Sequence, residues 1–152
     1  MNLRKFPKLI ASGEDLKGFD FVVLDRLGNT MKDMIRRTKA KKFRIKTVIQ
    51  IAIQVLDRLE DLHNLGYVHL DLKLDNLMTG SENVMMKKSS HIFLIDFGIS
   101  KRFEDVKGNH IRMYKTSSFA GNALFASKNA WKQKPLTRRD DLISLFYILV
   151  FL

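Results

Sequence analysis

Four polar residues in two short motifs have the types and spacing that phosphoryl transfer requires. The first motif, HLDLKLDN, ends at Asn76, and the second, DFG, begins at Asp96 about twenty residues later. This chemistry needs a carboxylate that orients the attacking hydroxyl and accepts its proton, and oxygen ligands that hold Mg²⁺ on the phosphates. Asp71 suits the first role, whereas Asn76 and Asp96 suit the second. Lys73 adds a positive charge beside the moving phosphoryl group.

Three further segments carry a more specific resemblance. They are FLIDFGISKRF at 93–103, GNALFAS at 121–127 and RRDDL at 138–142. Together they resemble the casein kinase 1 family of the protein kinase superfamily, which reads Gly-Thr-Ala-Arg-Tyr-Ala-Ser at the second segment where most kinases have Ala-Pro-Glu. The resemblance runs from about Phe6 to the last residue. It implies a serine/threonine protein kinase that transfers the γ-phosphate of ATP, with Mg²⁺ as its metal ion.

The resemblance also implies nucleotide contacts. By position these are Leu24, Asp25, Leu27, Asp33, Met78 and Ile95. In the family, the residues that match Leu24, Asp25 and Leu27 belong to the hinge. Leu24 would be the gatekeeper, and backbone N–H and C=O groups of Asp25 and Leu27 would meet the adenine edge. Asp33 would lie near the ribose, and Met78 and Ile95 would form an apolar floor under the base. Because apolar residues at such places are often core residues, a purely structural role is the alternative.

The fold class that the resemblance implies is α+β, a protein-kinase-like fold that is incomplete. Residues 1–27 correspond to the end of the small-lobe sheet and the hinge, and residues 28–152 to the large lobe up to its central helix. We therefore expect one partial kinase domain. Before Phe6 we expect no glycine-rich loop, no phosphate-binding lysine and no helix carrying its glutamate partner. The apolar run from Leu142 to Leu152 predicts a helix meant for burial on all sides, whose covering helices are missing.

Local patterns predict the strands that position the motifs. They lie at residues 8–12, 19–24, 77–78 and 92–95. The first two are joined by a polar turn containing Gly13 and Gly18. The last two carry the chain to Asp96 and aim it into the cleft. The unfinished small-lobe sheet and the exposed terminal helix predict an open strand edge and an apolar patch, which favour aggregation or a partner.

Helical spacing predicts two helices before the first motif. Thr30 is a candidate N-cap for a short helix that reaches about Arg36. A longer helix covers residues 44–65 and ends at Gly66. Its predicted buried face comprises Ile45, Val48, Ile49, Ala52, Leu56, Leu59 and Leu62.

Departures from the kinase pattern bear on regulation and recognition. Leu70 stands where most kinases have an arginine that pairs with an activation-segment phosphate, so control by that route is expected to be lost. Leu124 replaces the arginine near the family's site for anionic substrate groups. Asn122 replaces the threonine that braces the catalytic aspartate, a role that an amide can also fill. The hydroxyls at 116–118 are either phosphorylation sites or ordinary loop residues.

Two more residues are interpreted as structural. In kinases the histidine that matches His69 packs under the activation segment, so a titrating catalytic role is not predicted. Asp141 resembles the buried aspartate that anchors the catalytic loop through hydrogen bonds to its backbone. Its mutation should therefore damage folding and activity together.

The chain is strongly basic, with a formal net charge of +11. Residues 36–44 concentrate this charge and would attract phosphate or acidic partners, although a solvated loop is the alternative. The family resemblance implies protein substrates that are acidic or already phosphorylated. Nucleic acid is a weaker alternative because no aromatic interleaving accompanies the basic run.

Absence of cysteine excludes disulfides and thiolate metal sites. The final apolar run is too short to span a bilayer, and no convincing targeting segment is present. We expect an intracellular protein, in the cytoplasm or nucleus. The oligomeric state is left open.

Two functions from different classes follow. In the first, the chain belongs to a serine/threonine kinase of casein kinase 1 type. In the second, it is a catalytically inactive kinase-like fragment or scaffold that lacks the glycine-rich loop and the ATP lysine. Loss of those parts should slow transfer by orders of magnitude, because this chemistry depends on positioning and charge stabilisation.

Overall fold

Short strand pairs and two long helices frame the catalytic motifs. The computed structural model describes residues 5–81, 91–105, 107–111, 119 and 121–152. The strands are β1 (Leu9–Glu14), β2 (Asp20–Leu24), β3 (Tyr67–Val68), β4 (Leu77–Thr79), β5 (Ile92–Leu94) and β6 (Lys101–Arg102). The helices are α1 (Met31–Arg37), α2 (Ile45–Asn64), α3 (Lys128–Trp131) and α4 (Arg138–Phe151), and a 3-10 turn spans Leu74–Asn76. The predicted α+β class is confirmed.

The first two strands form an antiparallel hairpin whose residues are all exposed. Its turn is shorter than predicted, because Gly13 lies within β1 opposite Phe21. The reversal is made by Asp15, whose Oδ1 accepts the N–H groups of Lys17 at 2.8 Å and Phe19 at 2.9 Å. Within the described residues the hairpin pairs with no third strand. An open edge and exposed apolar side chains are therefore present, as predicted.

The short helix α1 begins at the predicted cap. Thr30 Oγ1 accepts the Asp33 N–H at 3.0 Å and donates to Asp33 Oδ2 at 2.7 Å. These two bonds fix the start of the helix and satisfy one of its unpaired N–H groups. The buried side chains of Met31 and Ile35 then attach α1 to the core.

The long helix α2 has about the predicted extent, but only part of the predicted face is buried. Its buried residues are Ile51, Val55, Arg58, Leu59 and Leu62. Of the predicted face, Ile45, Ile49 and Leu56 are exposed. The helix carries apolar residues on two sides, and helical periodicity alone does not show which side meets β5 and α4. Gly66, with φ of 82°, ends the helix as predicted.

A polar clamp fastens β5 to α2. Gln54 Oε1 accepts the Ile92 N–H at 3.0 Å, and buried Arg58 donates its Nε–H to the Ile92 carbonyl at 2.9 Å. The next residues of β5 pair with β4, which places Leu94 opposite Leu77. These contacts fix the position of β5, and with it the position at which the chain enters the segment carrying Asp96.

Residues just before α1 lie along the other edge of β4. Gly28 N–H donates to the Thr79 carbonyl at 2.8 Å, and Thr79 N–H donates to the Asn29 carbonyl at 2.9 Å. A Cβ on Gly28 would lie 2.4 Å from Thr79 Oγ1 and 2.6 Å from the Gly80 carbonyl oxygen. Only glycine allows this close approach.

The last helix, α4, begins before the apolar run. Thr137 and Asp140 form a reciprocal capping box at its start. Leu145 and Ile148 are buried, whereas Phe146 and Val150 are 60% and 71% exposed. Because α2 covers only one side of the helix, the apolar side chains on its other sides form the exposed apolar surface expected of this helix.

One apolar core joins these elements. It comprises Met31, Ile35, Ile51, Val55, Leu59, Leu62, Leu72, Leu74, Leu77, Ile92, Leu94, Phe125, Leu145, Ile148 and Leu152. The set includes Leu72 and Leu74 of the first motif as well as residues of the helices, so the loop that carries this motif is part of the packed interior. Among the described residues, no helix has the length and apolar character needed to cross a membrane.

Replacing Gly28 by alanine should destabilise the fold by about 1–3 kcal/mol, because the added methyl group overlaps backbone as well as side-chain atoms. Urea unfolding measures the change. Gly13→Ala is the matched control, since its methyl group would meet only the movable Phe21 ring, at 3.2 Å. Equal losses in the two variants would contradict the proposed close contact between residue 28 and β4.

Candidate active site

A buried carboxylate holds the loop that carries Asp71. Asp141, on the first turn of α4, is 1% exposed. Its Oδ2 accepts the His69 N–H at 2.8 Å, and its Oδ1 accepts the Leu70 N–H at 2.9 Å. Leu70 has φ of 70°, a left-handed conformation that costs energy for leucine. The two hydrogen bonds hold this bend in place, so the anchoring role predicted for Asp141 agrees with the geometry.

Asp141 has a third partner that the sequence analysis did not identify. His63, near the end of α2, places Nε2 2.8 Å from Asp141 Oδ2. The ring of His63 also meets Phe103 edge-on, with 6.4 Å between centroids. The only sequence signal for His63 is its place six residues before His69, at the end of a helix.

His69 lies beneath both motifs and is fully buried. Its Nε2 is 3.0 Å from the Ile95 carbonyl oxygen, and its Nδ1 accepts the Asp71 N–H at 3.3 Å. Only the neutral tautomer protonated on Nε2 satisfies both contacts. Burial lowers the pKa of His69, against the opposing effects of the Ile95 carbonyl and nearby aspartates. The geometry thus supports a structural role.

The three polar residues of the first motif converge. Lys73 Nζ lies 2.5 Å from Asp71 Oδ2. This hydrogen bond is the largest of the effects that raise the pKa of Lys73. Buried Asn76 donates its Nδ2–H to the Asp71 carbonyl at 2.9 Å and to Oδ2 at 3.2 Å. Asp71 is therefore held in orientation from two sides, and Lys73 keeps its charge beside it.

Asp96 approaches the same place from the end of β5. Its negative charge also acts on Lys73 and on His69, which places it within electrostatic reach of both. Asp96 is exposed and has φ of 65°, a left-handed conformation that aspartate tolerates better than most residues. The next residue, Phe97, packs edge-on against His69 with 5.3 Å between ring centroids. The two motifs are thus brought together as predicted.

An open cleft of about 690 Å³ begins at Asp71 and Lys73. Its other walls come from residues 98–101, 119 and 121–123, the segment that follows DFG. Gly121, with φ of 99°, lies so close to the catalytic loop that a Cβ would be 2.3 Å from the Leu70 carbonyl oxygen. Asn122 Oδ1 accepts the Leu124 N–H at 3.0 Å, and this bond shapes the cleft wall. The predicted sites at 116–118 lie outside the described residues.

The far wall of the cleft is fastened to α4 by Asp140. Its Oδ1 accepts hydrogen bonds from Ser127 Oγ at 2.6 Å and Asn129 Nδ2 at 2.9 Å, and its Oδ2 accepts the Thr137 N–H at 2.8 Å. Burial alone would raise the pKa of Asp140, but these hydrogen bonds outweigh it and hold the pKa below its usual value. The carboxylate therefore stays charged and keeps the segment after Gly121 in position.

The predicted nucleotide contacts are only partly gathered in one region. Met78 pairs with Phe93 across β4 and β5 and bridges to Thr30, so the hinge connection runs beside it. The Ile95 N–H donates to the Asn76 carbonyl at 3.1 Å, next to the same strand pair. Met78 and Ile95 are both partly buried, which is compatible with a floor under a base.

The hinge residues and Asp33 have other contacts. The Asp25 N–H donates to the Lys8 carbonyl at 3.0 Å, so the Asp25 carbonyl and both backbone groups of Leu27 stay as predicted adenine contacts. Leu24 is 42% exposed at the end of β2. The Asp33 carboxylate accepts the Thr30 hydroxyl, and a ribose contact would compete with this cap.

The donor set fits Mg²⁺ held jointly with a nucleotide. Asn76 uses Nδ2 for its bonds to Asp71, which leaves Oδ1 as the atom that can ligate a metal. Asp96 supplies an exposed carboxylate. Elsewhere in the described residues, no group of three or more His, Asp or Glu side chains could hold a metal. Mg²⁺ commonly takes one or two protein oxygens and completes its shell with phosphates and water, so these residues are compatible with the ion.

Replacing Asp141 by asparagine should destabilise the fold by about 2–4 kcal/mol, because an amide nitrogen would face a buried donor and the charge-assisted bonds would weaken. Urea unfolding measures the loss. Asp105→Asn is the control, since exposed Asp105 also accepts the N–H groups of Lys107 and Asn109 but water can replace them. A similar loss in both variants would argue against Asp141 as the anchor.

Acidification should weaken the fold through His69. Its pKa is lowered by burial from 6.5, so the unfolded chain binds the proton first, and the free energy of unfolding should fall as the pH drops below 6.5. Urea titrations at pH values from about 7 to about 5 test this dependence. The slope should be shallower in His69→Gln and unchanged in the exposed control His91→Gln. An unaltered slope in His69→Gln would refute the assignment.

Comparisons with known proteins agree with this geometry. The protein kinase domain family matches residues 16–152, which include both motifs and the whole cleft. A protein of Dictyostelium discoideum, described as a probable serine/threonine-protein kinase, is 33% identical over 132 residues. The match covers 87% of this chain but 26% of that protein, so the chain spans about a quarter of its relative's length. The chain belongs to the protein kinase domain family.

Proposed function

We propose that this chain is the catalytic part of a serine/threonine kinase of casein kinase 1 type, which transfers the γ-phosphate of ATP to protein hydroxyl groups. The observation that carries the proposal is the cluster of Asp71, Lys73 and Asn76, with Asp96 in electrostatic reach. Asp71 opens onto the cleft, where a hydroxyl of a bound protein can meet its carboxylate. Family membership supports the reaction class.

Each residue of the cluster has a separate role in the proposed reaction. Asp71 accepts the proton of the attacking hydroxyl and orients it toward the phosphate. Lys73 supplies a fixed positive charge beside Asp71, where negative charge builds up on the transferred group. Asn76 and Asp96 would hold Mg²⁺, which neutralises the phosphates when bound. The protein's contribution is therefore mainly orientation and charge.

The casein kinase 1 assignment rests on the segment after DFG. The GNALFAS and RRDDL segments resemble that family, and in the structure they are joined, since Asp140 accepts hydrogen bonds from Ser127 and Asn129. Through these hydrogen bonds the two segments together stabilise the chain beside the cleft. The net charge of +11 is compatible with acidic or phosphorylated protein substrates.

Two substitutions separate the proposed roles. Asp71→Asn should lower phosphate transfer to an acidic serine peptide by about 10²–10⁴-fold, since it removes the proton acceptor, and it should keep ATP binding. Asp96→Asn should weaken Mg²⁺-dependent ATP binding by roughly tenfold or more, since it removes a metal ligand. Calorimetry measures the binding, and transfer of labelled phosphate measures the activity.

Asp105→Asn serves as the control for both measurements, because Asp105 lies in an exposed turn outside the cluster. It should bind ATP and transfer phosphate like the unaltered chain. A chain that binds no ATP in the presence of Mg²⁺ would refute the proposal and favour the non-catalytic kinase-like alternative. Full activity in Asp71→Asn would do the same for the role given to Asp71.

A further inference from the structure

Large apolar side chains lie in and beside the candidate cleft. Phe119 lines the cleft and packs against Trp131, with 4.8 Å between ring centroids. Trp131 is 60% exposed, and Leu124, which follows the lining residues 121–123, is 68% exposed. Large apolar side chains that are this exposed beside a functional cleft indicate a binding surface. We call Phe119, Leu124 and Trp131 the apolar shelf.

The shelf lies close to the place where a substrate hydroxyl would bind. Gly121 touches the Leu70 carbonyl, directly before Asp71 in the chain. Leu124 is three residues beyond Gly121, and three residues span at most roughly 11 Å of chain. An extended peptide covers the same distance in about three residues. A side chain bound at Leu124 would therefore belong to a residue within about three positions of the phosphorylated one.

The charges around the shelf favour an acidic partner. Lys73 and Lys101 line the cleft itself. The sequence from 106 to 139 contains no aspartate or glutamate, and α3 carries the exposed Lys128 three residues before the shelf residue Trp131. An apolar contact set in such surroundings suits a peptide that combines one large apolar side chain with acidic neighbours.

We propose that the apolar shelf selects protein substrates that carry a large apolar side chain within about three residues of the phosphorylated serine or threonine, in an acidic context. Leu124 is the main specificity residue, because it is exposed and its side chain replaces the charged group that the casein kinase 1 motif has there. This inference rests on the proposed function, since it concerns the substrate of the same site.

Peptide binding without nucleotide tests the shelf separately from phosphate transfer. The probes are serine peptides flanked by glutamates, with phenylalanine at one of the three positions on either side and with alanine there as reference. Trp131 is the only tryptophan of the chain, so its emission reports binding at the shelf directly. At least one phenylalanine peptide should bind about tenfold more tightly than the alanine peptide and shift this emission.

Substitutions at residue 124 complete the test. Leu124→Ser should remove most of the tenfold preference for the phenylalanine peptide, and Leu124→Arg should remove it as well, since a charged side chain would replace the apolar contact. Leu16→Ser is the control, since Leu16 is fully exposed in the hairpin turn and lies outside the cleft. All these positions are exposed, so the variants should fold, and urea unfolding verifies this.

Three results would overturn the inference: equal binding of phenylalanine and alanine peptides, an unchanged preference in Leu124→Ser, or no saturable binding of any peptide. A different result would affect only the proposed function. If the phenylalanine peptide binds at the shelf but receives no phosphate when ATP and Mg²⁺ are added, the specificity surface stands and the proposed transfer fails.

Discussion

The hydrogen bonds from two backbone N–H groups to buried Asp141 are the interaction on which the site depends. A carboxylate at this depth is costly unless its oxygens are satisfied, and His63 supplies the remaining partner. The bonds hold Leu70 in a left-handed conformation, which turns the following residue, Asp71, toward the cleft. The hydrogen bonds to Asp141 thus offset the strain at Leu70, and the same N–H groups stabilise the buried charge of Asp141.

Adjacent carboxylates on α4 hold the catalytic loop and the segment that follows Gly121. Successive residues on a helix point about 100° apart, so Asp141 reaches the catalytic loop while Asp140 reaches Ser127 and Asn129. Gly121 closes the distance between the walls by direct contact with Leu70. One turn of one helix therefore holds both segments, and the start of that helix is fixed by its own capping box with Thr137.

The candidate site is rich in negative charge, whereas the whole chain is strongly positive. The protein is strongly basic, yet Lys73 at the cleft is acted on by the negative charges of both Asp71 and Asp96. Such an arrangement keeps the local charge low until a ligand with phosphate groups and Mg²⁺ arrives. The sequence from 106 to 139 has basic residues but no acidic ones, and the apolar shelf in this stretch adds contacts that charge alone does not provide.

The sequence by itself determined the motifs, their order and the elements that carry them, because spacing, caps and helix-ending glycines are local properties. Thr30, Gly66 and the strand pair before Asp96 lie as predicted. Other features were decided only by tertiary structure. Which side of α2 is buried, the contact of Gly121 with Leu70 and the place of His63 beside Asp141 all depend on partners distant in the chain. Periodicity shows that an apolar face exists, but only packing against α4 and β5 selects one of two such faces.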